Sequence, residues 1–323
     1  HLINSINRVT GFLGPQGRPM PMRDAEVNAI LNRVQEGEDQ PRTLIRFEIG
    51  DRVVHFSGDL GHDPDPLMRP PKPFGGADVL VCESTYGNRS HPDTDPEAEL
   101  APVLKRTFAR GGTVLIPSFA VGRAQGGMLH IARLMARGDI PYVPVDATDI
   151  YHRHHAEHHV SREDCVAMFE IAKRVNTVEQ SKDLNTRQGP MIIVSASGML
   201  TGGRILHHLA SFGGDRRNTI LLSGFQAGGT RGAVLADGAR TLRMFGREFP
   251  IEAEVVQLQS FSGHADADEI LRWMSAGPAP TMTYLTHGEP SAADTLRFRV
   301  KHELGRSVRV PEHLESVYLD RPR

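Results

Sequence analysis

The chain has 323 residues, of which 39% are hydrophobic and 24% charged, and its 37 Lys and Arg nearly balance its 39 Asp and Glu. These proportions are typical of a globular enzyme with one large or two ordinary domains, and they exclude a disordered or fibrous chain. Only two cysteines occur, Cys82 and Cys165, and neither lies in a CxxC pair, which excludes a disulfide framework and a cysteine zinc site.

We expect a reducing, cytoplasmic location from this cysteine usage. The sequence has no apolar run of the roughly 20 residues that a membrane span needs, so we expect no membrane association. No signal peptide stands at the start as given, and nothing therefore suggests export.

Strand-like and helix-like segments alternate along the chain, which predicts an α/β fold. In chain order the predicted elements are a helix over 24–37, a hairpin over 46–59, a strand over 77–85, a helix over 95–112, a strand over 113–119, a helix over 122–138, a helix opened by Ser161 with Asp164 in a capping pattern, a strand over 191–197, a helix over 202–214, a strand over 218–226, a helix over 229–238, a strand over 253–261, a helix over 265–277, a strand over 281–288 and a helix over 292–305.

The charge is unevenly distributed along this pattern. Residues 106–240 contain 16 basic and 11 acidic residues, whereas the rest of the chain contains 21 basic and 28 acidic residues. A basic central segment between two acidic segments suits a protein that binds a polyanion with one part and cations with another. A chance asymmetry of solvated faces would give the same count. The changes near 106 and 240 are the residue-level indication of an inserted domain.

Four predicted strands end in residues that can bind metals or transfer protons. Asp59 follows the first hairpin in "FSGDLG", Glu83 ends the apolar strand of "VCESTYG", His264 lies in "SFSGHADADE" and His287 in "YLTHGEP". One Asp, one Glu and two His match the ligands of zinc or hard cations, and equally an acid–base group. Taken singly, the Asp could cap a turn and each His could be a surface residue.

Three strand-to-helix turns in the basic segment are rich in glycine and hydroxyl side chains: "PSFAVGRAQ", "VSASGMLTGGR" and "GFQAGGTRG". Helix N-termini built from small residues expose backbone N–H groups that bind phosphate oxygens, although glycine in a tight turn is ordinary by itself. The candidate phosphate-binding residues are Ser118, Arg123, Ser195, Ser197, Gly198, Thr201, Arg204 and Arg231.

Other histidines are weaker candidates. The segment "YHRHHAEHH" could place His154, His155, His158 and His159 at helical spacing as a second metal site, but a solvated polar helix start is the more usual explanation of such a segment. His207 and His208 are interpreted as surface residues.

The ordered set "FSGDLG", "ESTYG", "PSFAVGRAQ", "SASGMLTGGR", "GFQAGGTRG", "SFSGHAD" and "THGE" resembles β-CASP proteins of the metallo-β-lactamase superfamily, which are RNA-processing nucleases. The resemblance covers roughly Gly50 to Glu289 and looks closest to the bacterial and archaeal members. It implies a metallo-β-lactamase αββα sandwich with an inserted α/β β-CASP domain. Together with the charge break, it predicts residues 1–105 and 241–323 as the metallo-β-lactamase domain and 106–240 as the insert.

The same resemblance implies roles for the four strand-end residues. Asp59 would bridge two zinc ions, with manganese as a possible substitute, and His287 would be a terminal ligand of one ion. Glu83 and His264 would lie beside the metals, with His264 as general acid and Glu83 as its orienting carboxylate. The activity implied is hydrolysis of RNA phosphodiesters in a cleft between the two domains. Single-stranded RNA is the implied partner, and a homodimer is possible.

The chain departs from the family pattern in its metal ligands. The main motif, HxHxDH, is absent upstream of the first predicted helix, and no ligand histidine in a GHxxG-like turn precedes "FSGD". Either the sequence given lacks part of the protein, or the zinc cage has been lost. Because the other motifs are complete, we expect an HxHxDH motif upstream of His1. Two rival functions stay open, namely a non-catalytic RNA-binding protein and a small-molecule metallohydrolase such as a thioesterase or lactonase.

Overall fold

The structure is a computed structural model that describes residues 45–49, 51–119, 123–147, 161, 166–168, 170–175 and 177–317. The helix predicted over 24–37 and the histidines 154, 155, 158 and 159 lie outside these ranges. The predicted capping pair of Ser161 also involves Asp164, which is outside them as well.

The described elements agree in type and order with the predicted ones wherever both exist. They are β1 (Ile45–Ile49), β2 (Arg52–Phe56), β3 (Val79–Glu83), α1 (Pro96–Ala109), β4 (Thr113–Pro117), α2 (Arg123–Ala136), β5 (Val145–Ala147), β6 (Ala172–Arg174), α3 (Val178–Leu184), β7 (Met191–Ser195), α4 (Ile205–Phe212), β8 (Thr219–Ser223), α5 (Arg231–Ala236), β9 (Thr241–Met244), β10 (Arg247–Pro250), β11 (Glu254–Leu258), α6 (Ala267–Ser275), β12 (Met282–Thr286), α7 (Pro290–Glu303) and β13 (Val308–Arg309).

Five short strands and one helix were missing from the sequence prediction: β5, β6, α3, β9, β10 and β13. Of the strands, β5, β6 and β13 have only two or three residues, too few to show a period. The helix α3 has seven residues, and its signal is the capping box of Thr177 with Gln180. The β9–β10 hairpin turns at Phe245–Gly246, a pair less typical of a two-residue turn than Asn-Gly.

The chain divides into two compact units, and each is described by itself. The described residues of the first unit lie within 45–64, 70–90 and 264–317, and those of the second within 65–69 and 91–263. Apart from the short 65–69 excursion, the units therefore change at 90/91 and 263/264, whereas the charge count indicates changes near 106 and 240. Charge reports the composition of solvated surfaces, but β11 and most of α1, which lie outside 106–240, pack into the core of the second unit.

The first unit contains a mixed five-stranded sheet in the order β1-β2-β3-β12-β13. The β1–β2 pair is antiparallel, and the other pairs are parallel. The apolar side chains of α6 and α7 pack with Leu80, Cys82 and Leu285 of the sheet in one buried cluster. Asp266 caps α6, and Glu269 completes a capping box at its start. The described residues of the first unit thus form a mixed sheet with helices packed on it, which agrees with one half of the αββα sandwich that the resemblance implies.

The second unit contains a parallel six-stranded sheet in the order β11-β8-β4-β7-β5-β6. Val114 and Ile116 of β4 belong to one buried cluster and Leu115 to another, so the sheet is covered on both faces. Helices α1 and α2 contribute to the first cluster and α4 and α5 to the second. This is the α/β architecture that the sequence predicts for the insert. Among the described residues, no helix combines the length and the apolar character needed to cross a bilayer.

Candidate metal centre

Parallel neighbouring strands bring three of the four predicted side chains to one edge of the first sheet. Glu83 is the last residue of β3, His287 follows β12, and Asp59 follows β2 by three residues. Because β2, β3 and β12 are adjacent and parallel, their carboxyl ends lie side by side. His264 comes from the segment before α6. The structure therefore brings together all four residues that the sequence analysis selected in this unit.

The segment of His264 is held in place by backbone bonds to the ends of β2 and β3. The N–H of Ala265 donates to the carbonyl of Leu60 at 2.8 Å. Asp266 forms a parallel bridge with Tyr86, just after β3. Gly58 has a φ of +55°, which turns the chain directly before Asp59 and which residues with a Cβ rarely adopt.

Glu83 and His264 form a buried carboxylate–imidazole pair. Oε2 of Glu83 lies 2.9 Å from Nδ1 of His264, and the Glu83 side chain is 1% exposed. The same oxygen accepts from the hydroxyl of Thr85 at 2.6 Å. A carboxylate at Nδ1 fixes the ring orientation and places Nε2 on the opposite side as the reactive atom.

Asp59 and His287 form a second, more exposed pair in the same group. Oδ1 of Asp59 lies 3.3 Å from Nδ1 of His287, and the two side chains are 47% and 38% exposed. The Thr85 hydroxyl oxygen also lies 3.2 Å from His287 Nδ1 and 2.9 Å from the His287 carbonyl oxygen, so Thr85 contacts both pairs. These two side chains are open to a ligand from solvent, unlike Glu83.

The donor set fits a divalent metal ion. Asp59, Glu83, His264 and His287 each offer a ligand atom, and these atoms lie within 4.8 Å of one another. Two imidazoles with two carboxylates are ligands that zinc accepts. Oε1 of Glu83 is buried and has no hydrogen-bond partner among the described residues, a costly arrangement unless a cation or a water satisfies it.

The neighbouring Cys82 is not part of this donor set. It is buried directly before Glu83, and burial together with the Glu83 charge raises the pKa of its thiol above the ordinary range.

Sequence reasoning missed Thr85, although a signal was available. Thr85 follows the strand-end Glu83 by two residues, in the turn after β3. A hydroxyl this close in sequence to a buried strand-end carboxylate is a candidate orienting group. Ser57, whose hydroxyl accepts from the Glu83 N–H at 3.0 Å, was also missed, and its position 26 residues away gave no such signal.

The predicted phosphate-binding residues lie in the second unit, where three turns follow β4, β7 and β8. These strands are neighbours, so the turns share the carboxyl edge of the sheet. The N–H of Ser118 donates to the Ser195 carbonyl at 3.0 Å, and both side chains are buried. Ser197 is linked to Thr201 by its hydroxyl, which accepts from the Thr201 N–H at 3.1 Å. The exposed Thr201 is thus better placed for a phosphate than the two buried serines.

Close packing at Gly198 and hydrogen bonds from Arg204 and Arg231 stabilise these turns. A Cβ on Gly198 would lie 2.6 Å from the Phe119 ring, so this position needs glycine. The Arg204 guanidinium donates to the Val175 carbonyl at 2.8 Å. Arg231 donates to the carbonyls of Arg243, Leu200 and Thr201 at 2.8, 3.0 and 3.4 Å. Arg123 is the first residue of α2.

One of the two histidines interpreted as surface residues is buried instead, and that interpretation is wrong for His208. It is 0% exposed, with Nδ1 2.7 Å from Oδ1 of Asn185 and Nε2 3.2 Å from the hydroxyl of Ser181. His207 is exposed, as expected. The difference follows from the helical period, because α4 turns only one of two consecutive residues toward the core.

Comparison with known proteins assigns the chain to a family. The Beta-Casp domain model matches residues 140–235, and a model described as a Zn-dependent metallo-hydrolase RNA specificity domain matches 248–311. The chain belongs to the β-CASP family of the metallo-β-lactamase superfamily. The first match lies in the second unit, and the second includes His264 and His287. The metal-binding group and the metallo-hydrolase match together support a metal cofactor for this β-CASP chain.

Three relatives illustrate the family. The chain is 36% identical to ribonuclease TTHA0252 of Thermus thermophilus over 74% of this chain and 58% of that protein. It is 30% identical to transcription termination factor FttA of Pyrococcus abyssi over 92% of this chain and 50% of that protein. An RNase J-like protein of Methanocaldococcus jannaschii is 31% identical over 76% of this chain and 60% of that protein. The chain spans about half the length of the curated relatives it matches.

Proposed function

We propose that this β-CASP protein is a zinc-dependent ribonuclease that hydrolyses RNA phosphodiester bonds. The observation that carries the proposal is the buried Glu83–His264 pair, which lies in one group with the exposed Asp59 and His287. This combination supports a proton-transfer role for the buried pair and a metal-binding role for the two exposed side chains. The names of two relatives, a ribonuclease and an RNase J-like protein, support RNA as the substrate.

In this proposal Asp59 and His287 would bind metal. Two zinc ions per protein are expected when the HxHxDH motif expected upstream of His1 provides the remaining ligands. The chemistry that zinc supplies at such a site is activation of water and neutralisation of phosphate charge. The exposed carboxylate of Asp59 suits a bridging role, because its two oxygens can serve two cations. Manganese accepts the same oxygen and imidazole ligands and is the alternative metal.

Glu83 and His264 carry out the proton transfer to the leaving group. The carboxylate of Glu83 accepts a hydrogen bond from the Nδ1–H of His264 and stabilises the imidazolium form, so that Nε2 can donate a proton to the departing ribose oxygen. Thr85 keeps the carboxylate in place by donating to the same oxygen. Burial of Glu83 strengthens its interaction with the imidazole, since water does not screen it.

The second unit would supply contacts to the RNA backbone. The turns after β4, β7 and β8 lie at one sheet edge, and Thr201, Arg204 and Arg231 are at least partly accessible there. Such contacts recognise phosphates and carry little sequence information. Single-stranded RNA is therefore the expected substrate form, with low sequence preference.

The deciding experiment assays the full-length gene product with zinc on single-stranded RNA and on a thioester, before and after chelation. We expect RNA cleavage that chelation removes and zinc restores, with no thioester hydrolysis. Asp59→Ala should be inactive on both substrates. Tight RNA binding without cleavage by the zinc-loaded protein would favour the non-catalytic binder, and thioester hydrolysis would favour the small-molecule hydrolase.

A further inference from the structure

Glu269 makes more contacts than its place in a helix cap explains. It lies in the first turn of α6, and its side chain is 10% exposed. Oε2 accepts from the N–H of Asp266 at 2.9 Å, while Oε1 accepts from the N–H of Asp63 at 2.8 Å. Nδ1 of His62 lies 3.0 Å from both oxygens. The two carboxylate oxygens therefore bind donors from two distant segments of the chain.

An ordinary capping box accounts for only one of these contacts. In such a box the third helical residue reaches back to the N–H of the cap residue and to nothing else. The box of α3, formed by Thr177 and Gln180, is the comparison within this chain. The bonds of Glu269 to Asp63 and His62 instead span 206 and 207 residues.

The two segments joined by Glu269 are those that carry active-site side chains. Asp63 and His62 belong to the stretch that follows β2 and starts with Asp59. Asp266 belongs to the stretch that contains His264. One direct backbone bond, from Ala265 N–H to the Leu60 carbonyl at 2.8 Å, also connects these stretches. Through these contacts, Glu269 helps to fix the distance between the segment of Asp59 and the segment of His264.

Glu269 is ionised at neutral pH in this arrangement. Burial alone would raise the pKa of its carboxyl, but the hydrogen bonds from His62 and from the N–H groups of Asp266 and Asp63 outweigh burial and lower it. An ionised carboxylate accepts through both oxygens at once. A glutamine of the same shape has one acceptor oxygen and would turn its NH₂ group toward one of the N–H donors.

We propose that Glu269 is a positioning residue that locks the Asp59 segment to the His264 segment and so aims His264 at the leaving oxygen. The inference rests on the proposed ribonuclease function for its catalytic consequence, whereas the lock itself is a property of the folded chain. Displacement of a catalytic group by about 1 Å costs up to about 10²-fold in rate, so a modest shift of either segment would be measurable.

The test compares Glu269→Gln with wild type and with the matched control Gln180→Ala, which removes the same capping position from α3. Hydrogen exchange is measured over residues 60–66 and 264–269 in all three proteins. Single-turnover hydrolysis is measured on RNA and on bis(4-nitrophenyl) phosphate, whose leaving group needs no proton, and zinc content is determined beside it.

We expect Glu269→Gln to speed exchange in both segments, although they are distant in sequence, and Gln180→Ala to affect only the start of α3. RNA hydrolysis by Glu269→Gln should fall about 10- to 100-fold, with a deficit of less than about threefold on the nitrophenyl ester and unchanged zinc content. Unchanged exchange over 60–66, or equal losses on both substrates, would overturn the inference. Wild-type protein that cleaves neither substrate would contradict the ribonuclease proposal instead. The hydrogen-exchange comparison would still show whether Glu269 holds the Asp59 and His264 segments together.

Discussion

Glu83 and His264 are 181 residues apart in the chain, yet Oε2 of Glu83 lies 2.9 Å from Nδ1 of His264 in a buried pair. The second unit contains a similar pair, in which Nδ1 of His130 lies 3.0 Å from Oε1 of Glu97. The two pairs differ in their surroundings. Glu83 is grouped with Asp59 and His287, whereas Glu97 is also paired with Arg137. The proposed proton-transfer role therefore falls on the Glu83–His264 pair, which has candidate metal ligands beside it, and not on the His130–Glu97 pair.

This contrast gives the first prediction, on Glu83→Gln with Glu97→Gln as its matched control. The amide cannot stabilise the His264 imidazolium, so single-turnover RNA cleavage should fall by about 10²-fold or more. Glu97→Gln changes a similar pair that lies outside the candidate site. The cleavage rate of this variant should stay within about twofold of wild type, because a change away from the reacting groups has a small effect. Equal rate losses in both variants would show that Glu83 acts through stability alone.

The second prediction separates Asp59 from His264 by what each loss removes. Asp59→Ala deletes a carboxylate that should hold metal, so zinc content should fall together with activity. His264→Ala deletes a proton donor and should keep zinc and RNA binding while the rate drops by about 10²–10⁴-fold. Metal analysis beside single-turnover cleavage decides between these roles. Loss of zinc from His264→Ala would make His264 a ligand and end the proposed division of labour.

Much of the first unit's site could be predicted from sequence because three of its four side chains stand at or just after the end of a strand. Asp59, Glu83 and His287 follow strands that the apolar runs mark clearly, and parallel pairing then brings the strand ends to one edge. The polar side chains that orient the site gave a weaker signal. In sequence, only the spacing from Glu83 indicates Thr85 and nothing indicates Ser57, so their distances to Glu83 are what show their role.

The arginines of the second unit show where sequence reasoning reached its limit. Position at a helix start suggested phosphate contacts for Arg204 and Arg231, but a guanidinium there can equally bind backbone carbonyls of a neighbouring turn. The structure shows such carbonyl bonds for both residues. The choice between these partners depends on how distant turns pack, which the local sequence does not encode.

The third prediction concerns Gly288, which follows His287 directly. A Cβ at this position would lie 2.3 Å from the hydroxyl oxygen and 2.5 Å from the carbonyl oxygen of Ser84. We expect Gly288→Ala to lower the free energy of unfolding by about 1–3 kcal/mol, as overpacking usually does, and to weaken zinc binding by moving His287. Urea unfolding and zinc titration measure the two effects.

Gly75→Ala is the control for this change, because a Cβ there meets nothing within 4 Å. It should change neither unfolding nor zinc affinity beyond experimental error. If Gly288→Ala binds zinc like Gly75→Ala, then the position of His287 is not set by the close approach of Gly288 to Ser84.

The fourth prediction tests the two roles open to Arg231. Arg231→Lys keeps the charge but cannot reproduce three carbonyl bonds from a planar group, so its unfolding free energy should fall by about 1–3 kcal/mol. Its salt dependence of RNA binding should match wild type. Arg231→Ala should show the same instability and a salt slope flatter by roughly one unit if the charge also meets a phosphate. An unchanged slope in the alanine variant would restrict Arg231 to its structural role.

The fifth prediction is a pH dependence of stability that originates at His208. Burial, followed by the charges of His207 and Arg204, lowers the pKa of His208 to about 4 from an ordinary value of 6.5. The unfolded chain therefore binds the proton more readily than the folded one between these two values. The stabilisation is complete above pH 6.5 and is lost as the pH falls toward 4, by about 3 kcal/mol in total.

The measurement is urea unfolding of wild type, His208→Gln and the exposed control His207→Gln at pH 7 and pH 4.5. Carboxylates also titrate in this range. The contribution of His208 is therefore obtained by comparing, between variants, the change in unfolding free energy from pH 7 to pH 4.5. His208→Gln should be less stable than wild type at pH 7, because it disturbs the contacts with Asn185 and Ser181, but it should lose about 2–3 kcal/mol less on acidification. His207→Gln removes only the charge contribution of His207 and leaves the His208 imidazole buried, so it should keep most of the wild-type dependence. A His208→Gln variant with the full acid sensitivity of wild type would show that the buried imidazole is not the group that senses pH in this range.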